Sequence, residues 1–517
     1  MILKLNKIKM KNLFLILFCF ITQVSYSQIS TISTTDGSIL ITPRGLLGNT
    51  NTSNSSNVAL GTDALKNNTT GYDNTAIGAS SLSSNTTGYF NTAMGYQSLL
   101  SNTTGNDNTA NGFYSLRFNT TGNSNTTNGS FSLRLNTTGY HNTAIGTAAL
   151  QNNTTGFQNT ANGASSLSNN TTGYQNTANG FISLLANTTG YFNTANGVSS
   201  LLNNTTGYQN TANGAFSLYT NSTGNLNTAS GLKSLYSNTT GGNNTASGLN
   251  SLYSNTTGGN NTANGFNSLY YNTTGNHNTT NGGSSLFFNT IGNHNTANGV
   301  SSLSNNTTGN NNTANGTYSL QSNTTGDLNT AIGYYANVSP GTIVNATAIG
   351  ANATVNASNK VRIGNASVTV IEGQVAWSFP SDRRLKENIQ VNNYLGLNFI
   401  SKLQPVTYNY ISDKTKVRHD GFIAQDIETI LKDLNLHFSG LKKSSDGMYS
   451  LAYSDFVMPL VNAVKEQQNI ISDLVKKTSD LTSFNSDLVK KNDSYESQIQ
   501  KLASKLEELE KKYPVRN

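Results

Sequence analysis

Asn74-Thr75-Ala76-Ile77-Gly78-Ala79-Ser80-Ser81-Leu82-Ser83-Ser84-Asn85-Thr86-Thr87-Gly88-Tyr89-Phe90 is one of seventeen near-copies of a 17-residue unit, whose leading asparagines run from Asn57 to Asn329. The consensus is N-T-A-x-G-x-x-S-L-x-x-N-T-T-G-x-x. Gly holds the fifth position in every copy, from Gly61 to Gly333, and the fifteenth in the first sixteen, from Gly71 to Gly326. Leu holds the ninth in the same sixteen, from Leu65 to Leu320. A fixed period marks an architecture in which each unit packs against its neighbours. Two invariant glycines per unit point to two backbone corners where a positive φ or a close chain approach excludes a Cβ. The Thr- and Leu-bearing segments between them are too short for helices and suit strands. Residues 57–345 are therefore predicted to form a β-solenoid of seventeen coils, stacked about 4.8 Å apart. Residues 346–380, opening on the imperfect copy Ala346-Thr347-Ala348-Ile349-Gly350, form a degenerate repeat and junction.

Composition narrows the function. Of the 517 residues, 11% are charged, against about 25% in ordinary soluble chains. Residues 57–344 hold only eight charged side chains: Asp63, Lys66, Asp73, Asp107, Arg117, Arg134, Lys233 and Asp327. Hydrolysis of a glycan needs two neighbouring carboxylates, and these four Asp are scattered. His141, His277 and His294 fall at variable positions with no ligand-like spacing, so neither metal nor cofactor is expected. The net charge of +7 includes Lys4, Lys7, Lys9 and Lys11, and no basic stripe remains that would neutralise a run of phosphates. Nucleic acid is not an expected partner.

Residues 1–27 read as a secretory signal: a Lys-rich start, an apolar run from Leu13 to Val24, and small Ser25 and Ser27 before Gln28. The apolar run is shorter than the ~20 residues of a membrane span. Cys19 lies inside this segment and is the only cysteine, so a secreted chain without disulfides or a membrane-spanning segment is expected. Residues 28–56 form an N-terminal segment.

One Leu and one Ala per coil offer little apolar surface to set against backbone ordering at about 1–2 kcal/mol per residue. Three chains around a shared axis are expected to bury those ladders, giving a trimeric shaft. An aromatic ladder recurs at the sixteenth position: Tyr72, Tyr89, Tyr140, Phe157, Tyr174, Tyr191 and Tyr208. It reads either as rings stabilising adjacent coils or as a platform for a sugar chain. The threonine ladders read chiefly as hydrogen-bonded stacks, and more remotely as an ice-binding surface. The N-T-A-I-G pentapeptides at Asn74 to Gly78 and Asn142 to Gly146 resemble the head repeats of trimeric autotransporter adhesins and the shafts of phage tail fibres. The period of 17 is longer than the autotransporter unit, and the fourth position is mostly Asn or Ser. The resemblance implies a homotrimeric fibre with a cell-surface glycan or protein as its receptor.

Composition changes after the repeats: residues 381–517 carry 20 basic and 18 acidic side chains. The boundary reads Phe379-Pro380-Ser381-Asp382-Arg383-Arg384-Leu385-Lys386-Glu387-Asn388-Ile389. Leu403-Gln404-Pro405-Val406 follows with Tyr408 and Tyr410, then Gly421-Phe422-Ile423-Ala424-Gln425-Asp426-Ile427-Glu428 and Tyr449-Ser450-Leu451-Ala452-Tyr453. This ordered set resembles the self-cleaving intramolecular chaperone of phage endosialidases and tailspikes. The resemblance implies a small α/β domain over 381–456 that trimerises, assists folding of the upstream fibre and then cuts itself off. It implies the bond Pro380–Ser381 as the one cut, Ser381 as nucleophile and Lys386 as its base. Such a dyad is chemically coherent, because a serine hydroxyl needs a base, and lysine serves as one when burial or nearby cations, here Arg383 and Arg384, lower its pKa. The plainer reading of the same residues is a helix start with Ser381 or Asp382 as N-cap. A helix from 383 to 389, a strand Val406 to Tyr410, a helix Phe422 to Leu431 and a strand Met448 to Tyr453 are predicted, with His419 and His437 at the surface or behind the site.

From Leu460 to Tyr513 a heptad runs without a skip through Val464, Gln467, Ile471, Leu474, Thr478, Leu481, Asn485, Leu488, Asn492, Tyr495, Ile499, Leu502, Leu506 and Leu509, which puts Asn485 and Asn492 in the seam. A coiled coil over 457–513 follows, and three strands follow from the resemblance. The sequence thus reads as a secreted trimeric fibre or adhesin-like protein with a releasable folding clamp. A polysaccharide-binding or polysaccharide-degrading spike and a fibre that retains its clamp uncut are the alternatives.

Overall fold

The computed structural model describes residues 57–513 apart from 376, 412, 445 and 446; the expected signal 1–27 and the segment 28–56 lie outside the described residues. Two compact units divide at Asn365 and Ala366.

In the first unit each repeat gives one three-residue strand, Thr75–Ile77, Thr92–Met94 and onward to Thr330–Ile332, followed by Thr347–Ile349 and Val361–Ile363. Neighbours pair parallel and in register, Thr75 opposite Thr92 and Ala76 opposite Ala93. Nineteen strands join in a single sheet. At ~4.8 Å per coil the stack is roughly 85 Å long. Its last pairing sets Thr347 opposite Val361, so the closing coil is shortened from 17 residues to 14.

The interior is largely polar. Ala93 and Leu99 are fully buried, and so are Asn91, Ser98 and Asn102 of the same coil. Asn91 Nδ2 donates to Asn74 Oδ1 (3.1 Å) and to Gly105 O (2.9 Å). Its Oδ1 accepts from the backbone N–H and the side-chain amide of Asn108, both at 3.1 Å. The second ladder links Asn102 Nδ2 to Asn85 Oδ1 at 2.8 Å and again to Gly105 O at 2.9 Å. Every hydrogen of these amides is used, so burying them carries no unpaired-group penalty.

The two invariant glycines have different causes. Gly95 has φ +133°, a conformation L-residues rarely adopt. Gly105 turns its carbonyl inward to the two Asn ladders, and a Cβ there would lie 2.4 Å from Gly122 O. The ninth-position leucines are also left-handed, with φ 50° at Leu82 and 51° at Leu99. That conformation costs an L-residue about 1–2 kcal/mol, which full burial of the side chain, at about 1.5–3 kcal/mol, offsets.

The Leu and Ala ladders are thus buried inside one chain, which corrects the expectation that three chains must share an axis to cover them. Asparagine amides that satisfy one another fill the space that the sparse apolar residues leave. The thirteenth-position threonines take the stacking role: Thr86 Oγ1 donates to Thr103 O at 3.0 Å.

The second unit is a small α/β region with a long helix. It contains helix α1 (Leu397–Ile400), the hairpin Val406–Tyr408 with His419–Gly421, helix α2 (Ala424–Asp433), the hairpin Leu441–Lys443 with Tyr449–Leu451, and helix α3 (Val457–Lys512). Leu395, Phe399, Ile427, Leu431, Phe438 and Phe456 form its core. The predicted strands and the middle helix are present with shifted ends. The predicted helix from 383 to 389 is not: only a single 3₁₀ turn, Arg383–Leu385, forms there.

The root of α3 is tied to this core. Glu466 Oε2 accepts from Leu397 N at 2.8 Å, filling an orphan donor at the start of α1. Asn462 Nδ2 donates to Asn392 O (2.9 Å) and Leu395 O (3.2 Å). Farther along, α3 leaves its apolar seam uncovered, and only Pro459 and Ala463 are buried in its 56 residues. Among the described residues, no helix is long and apolar enough to cross a membrane.

Candidate functional site

Asp382 organises the site. Its carboxylate accepts from Arg384 N at 2.8 Å, capping the turn, and from Arg384 Nη2 at 2.7 Å. These bonds hold the Asp382 carboxyl below the usual carboxylate range. Helical propagation stops at Lys386, which is extended (φ −126°, ψ 136°), and Asn388 is left-handed. The chain therefore doubles back within five residues. Lys386 Nζ comes to 2.7 Å from Ser381 Oγ.

Ser381 precedes the turn, as a contact between residues five apart requires, since a continuous helix would put them on different faces. The cap reading holds too, with Asp382 in that role. Arg384 is engaged by Asp382, its Nη2 lying 2.7 Å from Asp382 Oδ2. Both Ser381 and Lys386 are exposed in the single chain. Trp377 and Phe379, just upstream of the Pro380–Ser381 bond, are 79% and 76% exposed.

The other quoted motifs shape the second unit. Tyr408, Tyr410 and His419 cluster on the first hairpin, and the hydrogen bond to Tyr410 together with burial pushes the Tyr408 hydroxyl up to about 12. Tyr453 OH accepts from Phe422 N at 2.9 Å. Tyr449 OH accepts from Lys443 Nζ at 2.6 Å and donates to Glu428 Oε1 at 3.0 Å, tying the second hairpin to α2. Lys432, 3.1 Å from Glu428, holds that carboxyl low, with Tyr449 assisting. Among the described residues none of these side chains hydrogen-bonds to Ser381 or Lys386. His437 is exposed.

On the shaft, the sixteenth-position rings lie face to face, with Tyr174 and Tyr191 at 4.9 Å and 5° and Tyr191 and Tyr208 at 5.0 Å and 2°. Their faces cover one another, which favours the stabilising reading over a sugar platform. A second ladder, Tyr219, Tyr236, Tyr253, Tyr270 and Phe287, stacks at 5.0–5.3 Å on the tenth position. Its signal in the sequence is the recurring S-L-Y triplet at Tyr219, Tyr236, Tyr253 and Tyr270. Asp63 pairs with Lys66 at 3.1 Å, and Asp327 Oδ1 accepts from Asn310 N. No group of His, Cys, Asp or Glu with the arrangement of a metal site occurs among the described residues.

Residues 381–436 match the family model described as chaperone of endosialidase, Peptidase_S74. No curated protein matches the chain. The match begins at Ser381, the residue that Lys386 contacts, and takes in the capped turn, the first hairpin and α2. Downstream of its β-solenoid, the chain therefore carries a Peptidase_S74 chaperone-of-endosialidase domain at residues 381–436.

Proposed function

We propose that the protein is a secreted, homotrimeric fibre whose C-terminal module gathers three chains, aligns them while the shaft folds, and is then released by cutting Pro380–Ser381. The observation that carries this reading is the 2.7 Å contact between Lys386 Nζ and Ser381 Oγ at the first residues of the chaperone domain. In its neutral form Lys386 takes the Ser381 hydroxyl proton as Oγ attacks the Pro380 carbonyl carbon. The C–O bond forms, the C–N bond breaks, and the Ser381 nitrogen leaves as an amine carrying the transferred proton. Water then attacks the ester, returning the hydroxyl to Ser381 and leaving Pro380 as a carboxylate. The nucleophile is covalently held beside its target, so the proximity contribution is supplied by the chain itself.

Assembly fits the chemistry. A lysine works as a base once it is desolvated, whereas Lys386 is exposed in one chain. The uncovered Trp377 and Phe379 and the open seam of α3, where Leu474 is 56% and Leu502 66% exposed, are the surfaces that further chains would cover. Near-identical coils also invite pairing one repeat out of register, and a clamp at one end fixes the register before the sheet grows.

The test is denaturing electrophoresis with N-terminal sequencing of the smaller band. Wild type is expected to give a fragment beginning at Ser381, and Ser381→Ala and Lys386→Met to give the uncut chain alone. An uncut wild type, or a Ser381→Ala chain that is still cut there, overturns the reading.

A further inference from the structure

Arg117 and Arg134 are the only arginines between residues 57 and 344, and they occupy the tenth position of adjacent coils. Both guanidinium groups lie over the same two rings. Arg117 Cζ is 4.4 Å from the Tyr114 centroid and 4.9 Å from that of Phe118, and Arg134 Cζ is 5.8 Å from each. Phe113 packs 3.9 Å from Tyr114 and stacks on Tyr96 at 5.5 Å. Tyr96 and Phe113 keep more than 40% of their surface exposed.

Among the described residues neither arginine forms an ion pair or a side-chain hydrogen bond, and the Nε of each is buried without a partner. Two like charges one coil apart repel, and the solenoid core does not need them: other coils fold with Tyr, Ser or Leu at the tenth position. A guanidinium lying against a ring keeps its in-plane Nη–H groups for an oxyanion. The exposed rings beside it suit the apolar face of a sugar.

We propose that this patch on coils three to five binds a saccharide bearing carboxylate or sulfate groups, with Arg117 and Arg134 holding the anions and the exposed parts of Tyr96 and Phe113 packing against the sugar. The inference rests on the reading of the shaft as an exposed fibre and does not require that the chain cut itself.

The test is binding of the full-length chain to immobilised heparin (sulfated), alginate (carboxylated), dextran (neutral) and duplex DNA, with a denaturing gel of the same preparation reporting cutting at Ser381 separately. Binding to heparin or alginate and not to dextran is expected, and the preferred polymer identifies the anion. Arg117→Gln with Arg134→Gln is expected to weaken it tenfold or more, as befits loss of charge-assisted bonds. Lysine at both positions is expected to restore only part, since it lacks the fork. Lys233→Gln is expected to bind as wild type. Should the double Gln variant not fold, Tyr96→Ala on the exposed rim carries the test, with at least a threefold loss expected. Failure to bind either polyanion, undiminished binding by the folded variants, or equal affinity for DNA would overturn the proposal.

Discussion

Asn193, deep in the solenoid, gives both amide hydrogens to Asn176 Oδ1 and Gly207 O and receives Asn210 on its own oxygen, all within one chain. Leu481, midway along α3, is 61% exposed. The asparagine ladder is complete by itself, and the leucine seam of α3 is open. Residue type alone would suggest the reverse, and the difference teaches that self-sufficiency depends on whether each group meets its match inside the chain. Asparagine side chains stacked in register always do, whereas a leucine seam on a lone helix waits for another helix.

Replacing seam leucines breaks this contrast most severely. Leu481→Glu combined with Leu488→Glu is expected to abolish assembly, leaving monomers in sedimentation at concentrations where the wild type associates, and to leave the chain uncut. Monomers that still yield the Ser381 fragment would show that the dyad works without neighbours. Inside the shaft, Asn193→Ala strips acceptors from Asn210 and a donor from Gly207 O. A loss of roughly 2–4 kcal/mol is expected, seen as faster amide exchange at Thr211 and Gly214; unchanged exchange would deny the ladder its role. On the surface, Tyr253→Leu interrupts the second aromatic stack and is expected to cost about 0.5–1.5 kcal/mol in thermal unfolding.

The smallest expected effect is electrostatic. Glu428 has its pKa lowered by Lys432 and Tyr449, so its contribution is present above the ordinary carboxylate range and lost as pH falls through the depressed value. Wild type and Glu428→Gln are therefore expected to differ slightly in stability near neutral pH and to converge in acid. The site is exposed, and added salt should shrink the difference.

Much of this was legible in the residues. The period located the strand of each repeat, the glycines marked the corners, and Ser381 and Lys386 stood in a recognisable motif. The interior was not legible, because an asparagine reads as polar wherever it stands, and only the three-dimensional stack shows Asn91 and Asn102 sharing the carbonyl of Gly105. The left-handed leucines were hidden for a similar reason, since the backbone preference of leucine argues against them and burial overrides it. The expected helix after Ser381 failed because Asp382 caps a turn that Lys386 ends at once. The closing strand Val361–Ile363 escaped notice because its coil lacks three residues, which shifts V-R-I-G out of phase with the T-A-I-G before it.

The uniformity of the stack bears on heredity. Excising a consensus repeat rejoins two neighbours that present the same Asn, Ala and Leu ladders, so the interior stays in register. Slippage during replication of such a gene would lengthen or shorten the reach of the molecule in increments of ~4.8 Å.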